Sequence, residues 1–453
     1  MEKQVVVIGA GPAGIEAAKA ASSAGAQVTL VTDGPIGGRA GWHSLLPSKV
    51  WLAAVQAVRE QQQIGSLGIS VEAEVKARPE LILARILAVS KMWNAQQRME
   101  LDNQGVEILE GKADFMPGDR VSVQPAGQVE DIRMNYDALI LATGSVPLFP
   151  DGLQPDVERI LAPRHAAHLK EIPKSILVIG AGATGCEFAY LFNRLGARVT
   201  WIIDEYGILP SFDPKAGKYL GEALKKAGVQ LEFGQTARRL LRTETGVELE
   251  TESGQKYPSE AAFIAIGRRP DLEALNLPAA GLPPSPKGSL QVDAYCRTSA
   301  PKIYAAGDVT GAPMLANKAI LQGRIAGLHA GGGDPLPYRE ETVVRSVYTQ
   351  PEIAQVGRLD SENARIVHLT YQRGLKAYLE ADGEGFIRLA YDPENRRLLG
   401  ALAAGHQAAD MLAPAAMALA CNANVDELGA LGLADPTYSE LAALAGRAAY
   451  EGP

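Results

Sequence analysis

The stretch Val5-Val6-Val7-Ile8-Gly9-Ala10-Gly11-Pro12-Ala13-Gly14 decides how this chain folds. A short β-branched run ends directly in a G-x-G-x-x-G loop, and an alanine-rich helical stretch follows to about Ala24. In such a loop Gly9 permits a tight turn, Gly11 lets the backbone approach a pyrophosphate, and Gly14 allows close packing of helix on strand; the helix N-terminus favours the negative charge. Val28 to Val31 supplies the next strand at the spacing of a βαβ unit. The pattern recurs from Ile176: a strand, then Gly180, Gly182 and Gly185, a helical stretch from Phe188 to Leu195, and a strand from Arg198 to Ile203. Two copies imply two dinucleotides, which suits an enzyme that keeps one cofactor and receives hydride from another.

A carboxylate that binds the ribose hydroxyls usually closes the second strand of each unit, about twenty residues past the first glycine. That position holds Thr32 in the first unit and Ile203 in the second, with Asp33 and Asp204 one place later. Displacement by one residue turns a side chain to the other face of a strand unless the strand has ended. Asp33 and Asp204 therefore read either as ribose ligands or as solvated turn carboxylates. No arginine pair follows the second strand to grip a 2′-phosphate, which tilts the expectation towards NADH over NADPH.

With 453 residues, of which 47% are apolar, the chain has material for two to four domains with separate cores. Its net charge of −8, with both signs interspersed, provides no basic footprint for nucleic acid or an anionic membrane. Small molecules and a second copy of the chain are the expected partners. Cys186, Cys296 and Cys421 lie far apart, without the spacing of a disulfide framework or zinc site. The remaining histidines, at 165, 168, 329, 368 and 406, form no ligand set with His43, so no metal is expected. The first residues run straight into a strand rather than a signal peptide, and no apolar run reaches the roughly eighteen residues of a membrane span, so a cytoplasmic location is expected.

Further segments carry a family resemblance. Gly37-Gly38-Arg39-Ala40-Gly41-Trp42-His43-Ser44-Leu45-Leu46-Pro47-Ser48-Lys49 resembles the GGTCLNVGCIPSK segment of the flavoprotein disulfide reductases. Residues 136–145 resemble the family's ATG segment, with Thr143 and Gly144; residues 265–270, with Gly267, resemble the segment that closes the nicotinamide domain. Residues 303–309 resemble the second FAD motif, in which Gly307 precedes the ribityl-binding Asp308. Residues 434–440 resemble the HPTxxE segment that one subunit lends to its partner, with Asp435 in place of histidine and Glu440 retained. Asn317 likewise replaces the histidine of the family's LAHKA segment.

The resemblance implies an α/β protein with an FAD-binding domain (1–147 and 271–337), an NAD(P)-binding domain (148–270) and a C-terminal α+β dimerisation domain (338–453). FAD and NADH or NADPH would be its cofactors, and a homodimer its assembly. Lys49 and Glu187 match the ion pair beside flavin N5 on the nicotinamide side, the alternative being an ordinary surface pair. Ala183 stands where relatives often carry a gating tyrosine, which implies an open nicotinamide face.

In the family, electrons leave the flavin through the CxxxxC disulfide, and here those positions are Ala40 and Leu45. Disulfide reduction needs a thiolate, so that outlet is excluded in its usual form. Asp435, with an unperturbed pKa of about 3.9, would not shuttle protons as the family's histidine does, although burial beside Glu440 would raise one carboxyl. Trp42 and His43 fill the vacated loop, either to stack on and protonate a planar acceptor or merely to pack and cap a turn. The expected activity is an FAD-dependent NAD(P)H oxidoreductase that reduces a non-disulfide acceptor, a quinone or similar molecule. The alternatives are a soluble pyridine nucleotide transhydrogenase and an electron-transfer partner or redox sensor with little turnover.

Overall fold

In the computed structural model, which describes residues 2–70, 76–116, 118–127, 129–273 and 275–451, Val5-Val6-Val7-Ile8 lies in the strand Gln4–Ile8. It pairs in parallel with Gln27–Thr32 on one side and Ala138–Leu141 on the other. Fully buried parallel strands need apolar residues on both faces, which is why this run is continuous rather than alternating. Ile303–Ala305 extends the sheet beyond Ala138–Leu141; beyond Gln27–Thr32 come Glu107–Met116, Arg120–Pro125 and Ile132–Asn135, the last two antiparallel. One face is covered by an apolar cluster containing Ala13, Ala17, Leu30 and Ile140, and the other by one containing Val6, Phe115, Leu139 and Leu275. These strands belong to a unit made of residues 1–48, 84–148 and 267–339.

The second unit comprises residues 49–83, 149–266 and 340–453. Its parallel sheet has the order Gln230–Glu232, Arg198–Ile202, Ser175–Ile179, Ala261–Ile264, Ile160–Leu161. The strand Arg198–Ile202 stops one residue before Ile203. A three-stranded antiparallel sheet, Ala237–Arg242, Val247–Thr251 and Lys256–Ser259, accompanies it. Residues 340–453 form an antiparallel sheet in the order Arg345–Val347, Glu352–Gly357, Leu398–Gly405, Gly385–Tyr391, Arg365–Thr370. The alanine-rich helices after residue 407 pack on it, with Ala408, Met411, Leu412 and Ala415 completely buried. No helix among the described residues is long and apolar enough to cross a membrane.

Within this second unit Arg59, on the helix Leu45–Gln63, is ion-paired to Asp382 at 2.7 Å, and both side chains are almost fully buried. Removing one member of such a pair strands a charge away from water. Arg59→Leu is expected to lower unfolding free energy by about 3–5 kcal/mol in a chemical denaturation series. Arg59→Leu combined with Asp382→Leu should recover part of the loss.

The three thiols differ in reach. Cys186 is completely buried and its thiol is pushed well above the ordinary range by desolvation; Cys296 is pushed up to about 12 by the same cause; Cys421 is exposed. Because the thiolate is the reactive form, a disulfide reagent is expected to titrate a single fast thiol per native chain and all three after unfolding.

Candidate functional site

The three glycines of the first fingerprint have three different surroundings. Gly9 has φ +105°, and a Cβ there would strike the Ala142 carbonyl; a Cβ on Gly14 would strike the Gly9 carbonyl; a Cβ on Gly11 would meet only open space. The turn, the close packing and the approach surface are thus divided among them as the motif requires. The helix Pro12–Ser23 begins at Gly11 without a side-chain cap, so its first N–H groups are available to an anion. Gly38 closes on this loop, since a Cβ there would stand 2.9 Å from Gly11 Cα.

Further parts of the same unit gather Thr143, Ser145, Arg268, Asp271 and Asp308. Ser145 Oγ donates to Asp308 Oδ2 at 2.5 Å and accepts from Arg268 Nε at 2.7 Å, while Arg268 Nη2 holds the Ser145 carbonyl at 2.7 Å. Thr143 Oγ1 donates to the Asp271 carbonyl at 2.6 Å. Arg39 donates to the Thr143 carbonyl at 3.2 Å and pairs with Asp271 at 2.5 Å. Gly144 and Gly307 adopt φ +78° and +79°, and Gly267 φ +123°. Sequence reading named Thr143, Gly144, Gly267, Gly307 and Asp308 but missed Ser145, Arg268 and Arg39. Arg39 had a signal, because it stands at the threonine of the family's GGTC. An uncapped helix start, an open glycine and a fixed carboxylate fit a flavin dinucleotide, whose pyrophosphate and ribityl chain need those three things.

The loop that would carry thiols is held by other bonds. Gly37 has φ +93°, and a Cβ there would overlap Asn94 Oδ1; Gly41 also lies against Asn94. Ser90 Oγ donates to the Gly41 carbonyl at 3.0 Å, and Trp42 Nε1 donates to Ile36 O at 2.9 Å. The Trp42 indole N–H is therefore committed to packing the loop. His43 lies exposed just past the short helix Gly38–Trp42, Leu45 is likewise exposed, and Ala40 is partly buried.

The second fingerprint repeats the first. Gly180 has φ +101° and abuts the Ala265 carbonyl, Gly185 abuts the Gly180 carbonyl, and Gly182 faces open space at the uncapped start of Ala183–Arg194. In both units the strand ends at or before the expected ribose position, at Thr32 and at Ile202. Asp33 is exposed in the turn that follows. Asp204, partly buried, accepts from the Tyr206 N–H at 3.1 Å, and Ile203 is completely buried.

Lys49 lies in the first turns of the helix Leu45–Gln63 and Glu187 on the helix Ala183–Arg194. Lys49 Nζ donates to both Glu187 carboxylate oxygens, at 2.7 and 2.8 Å. The Tyr348 N–H donates to Glu187 Oε1 at 3.1 Å, and Lys49 Nζ lies 4.4 Å from the Tyr348 ring centroid. Glu187 is 5% exposed while a third of the Lys49 side chain is open, so the anion is buried as a scaffold and the cation is the presented group. Tyr348 was not anticipated from sequence. In the C-terminal segment Glu440 is raised above the ordinary carboxylate range, first by desolvation and then by a hydrogen bond and charge shared with Asp435.

Residues 3–323 match the pyridine nucleotide-disulphide oxidoreductase family, and residues 343–445 match its dimerisation domain. The NAD(P)H dehydrogenase (quinone) of Mycobacterium tuberculosis is 32% identical, over 94% of this chain and 90% of the relative. Dihydrolipoyl dehydrogenase 2 of Haloarcula marismortui is 29% identical, over 96% and 94%. The crystal structure of LpdA from Mycobacterium tuberculosis superposes with a TM-score of 0.93 at 31% identity, covering 98% of this chain and 99% of that one. The flavoprotein disulfide reductase RclA from Escherichia coli shares the fold with a TM-score of 0.82 at 23% identity, covering 97% and 98%. The chain belongs to the pyridine nucleotide-disulphide oxidoreductase family and is an FAD-dependent NAD(P)H oxidoreductase.

Proposed function

We propose that this enzyme passes electrons from the nicotinamide through FAD directly to a non-disulfide acceptor, a quinone or similar small molecule, and reduces no dithiol. The observation that carries this reading is the fully formed Lys49–Glu187 pair in a chain whose relay positions are Ala40 and Leu45. FAD, when bound, supplies the two-electron chemistry that neither side chain can perform. In this reading Gly9, Gly11, Gly14, Gly38, Thr143, Gly144, Gly307 and Asp308 hold FAD, with Ser145 and Arg268 orienting Asp308 and Gly267 in the segment that closes the nicotinamide domain. Gly180, Gly182, Gly185 and Asp204 receive the nicotinamide dinucleotide, and Asp33 or Thr32 the FAD ribose. Lys49 steadies negative charge as it develops, because a fixed cation at such a locus needs no reorganisation during the reaction. Reduction of a quinone also takes up protons, and His43 and the Asp435–Glu440 pair are the groups proposed to supply them. The relative named NAD(P)H dehydrogenase (quinone) supports the acceptor class. The match to a dimerisation domain supports a homodimer.

Ile203 favours a second reading. A buried apolar residue stands at the usual specificity position, so the carboxylate that repels a 2′-phosphate there is missing. Tolerance of both NADH and NADPH is what transhydrogenation would need, and hydride transfer from NADPH to thio-NAD distinguishes it.

Anaerobic stopped-flow reduction with NADH and NADPH tests the main reading. Full bleaching is expected without a long-wavelength thiolate charge-transfer band, followed by rapid reoxidation with a quinone. Lys49→Met should slow bleaching by roughly 10²–10³-fold, the range for removal of one preorganised electrostatic group. Failure of both nicotinamides to bleach the wild-type flavin would overturn the reading. Light scattering should give twice the chain mass.

A further inference from the structure

Tyr348 belongs to the hairpin that joins the strands Arg345–Val347 and Glu352–Gly357. Val347 pairs with Ile353, so the register brings Tyr348 opposite Glu352 at the mouth of the turn. At one end of this connection, the Tyr348 N–H holds Glu187 and the Tyr348 ring lies under Lys49. At the other, Glu352 Oε1 accepts the Ala409 N–H at 3.2 Å, which fastens the turn to the segment after residue 407. Thr349 Oγ1 donates to the Pro351 carbonyl at 2.6 Å and fixes the residues between. Across the sheet Glu352 is paired with Gly405, whose missing side chain leaves room for the fully buried Tyr371 ring. The phenol end of Tyr371 therefore stands where a strand neighbour's side chain would be.

We propose that Glu352 is a positioning residue for the Lys49–Glu187 pair, anchoring the turn on which that pair is seated and setting the charge beside Lys49. The proposal rests on the function argued above, in which Lys49 assists flavin reduction. The groups that act on Glu352 are Asp410, Lys49 and the Tyr371 hydroxyl, together with the Ala408 and Ala409 N–H groups. On its own hairpin, Arg345 is turned to the Ser211 carbonyl and Gln355 to the Asp213 N–H, so neither neutralises it. Desolvation, reinforced by Asp410, pushes the Glu352 carboxyl up to about 7. Near neutrality the residue thus changes from an uncharged anchor to an anion within reach of Lys49. The sign for stability follows: with a folded pKa above the unfolded value, the contribution is fully present below the unfolded pKa and is lost as pH rises through about 7.

Two variants separate anchoring from charge. Glu352→Gln keeps a carbonyl to accept the Ala409 N–H but cannot ionise, whereas Glu352→Met keeps neither property. Both are made in the full-length holoprotein and followed from pH 5.5 to 8.5 by three readouts: NADH reduction rate, flavin midpoint potential by dye equilibration, and Tm. Wild type and Glu352→Gln should agree in reduction rate and midpoint potential at pH 5.5. At pH 8.5 wild type should reduce several-fold more slowly, have a more negative potential and melt lower than Glu352→Gln. Glu352→Met should reduce slowly at every pH.

Parallel pH profiles in wild type and Glu352→Gln overturn the charge role, and wild-type rates in Glu352→Met overturn the anchoring role. If NADH bleaches none of the proteins, the functional reading fails; the potential and Tm then decide the charge role of Glu352.

Discussion

A carboxylate taken out of water must be met by donors, and the contact at Glu187 joins three separate stretches of sequence. Lys49 arrives from the helix Leu45–Gln63, the Tyr348 N–H from a hairpin, and Glu187 itself from the helix of the second glycine fingerprint. Because the carboxylate is buried, each donor must hold its place or leave a costly unpaired charge. The helix that carries Lys49 is held at two further points. Trp51, two residues after Lys49, is completely buried and donates to the Ala166 carbonyl at 2.7 Å, and Arg59 further along the same helix is locked to Asp382. A cation on a helix pinned in this way is presented at a fixed point, and electrostatic assistance requires that fixity.

The fold was legible because its instructions are local. Each fingerprint sets strand, turn and helix within about twenty residues, and its first and third glycines sit where a Cβ would strike a backbone carbonyl. The Lys49–Glu187 pair was legible only through resemblance, since nothing within either segment announces a partner 138 residues away. Tyr348 and Glu352 were not legible. Their roles come from a backbone N–H, a ring face and a strand register, none of which leaves a mark in residue type. The candidate ribose carboxylates show the opposite limit. The displaced positions of Asp33 and Asp204 raised the right question, and it turned on where a strand stops, a boundary that depends on hydrogen bonding rather than on composition.

Two carboxyl groups depart from ordinary behaviour for different reasons. Glu352 is raised mainly by loss of water, with Asp410 adding to it. Glu440 is raised by desolvation and by a hydrogen bond to a second acid, Asp435, at the position the family fills with histidine. A shared hydrogen bond between two carboxyls differs in kind from an imidazole at that place. Such a pair passes from sharing a proton to carrying two charges, whereas an imidazole passes from one charge to none.

The loop from Gly37 to Ser44 shows what replaces a covalent tie. It is gripped by Ser90 at the Gly41 carbonyl, by Asn94 against Gly37 and Gly41, by Trp42 at Ile36 and by Arg39 at Thr143 and Asp271. None of these contacts gains or loses an electron. A loop closed by a disulfide has two covalent forms, and the proportion of each follows the thiol poise of its surroundings. The present loop has one bonding pattern at every poise, so oxidants and reductants that would open or close a relay disulfide find nothing there to act on.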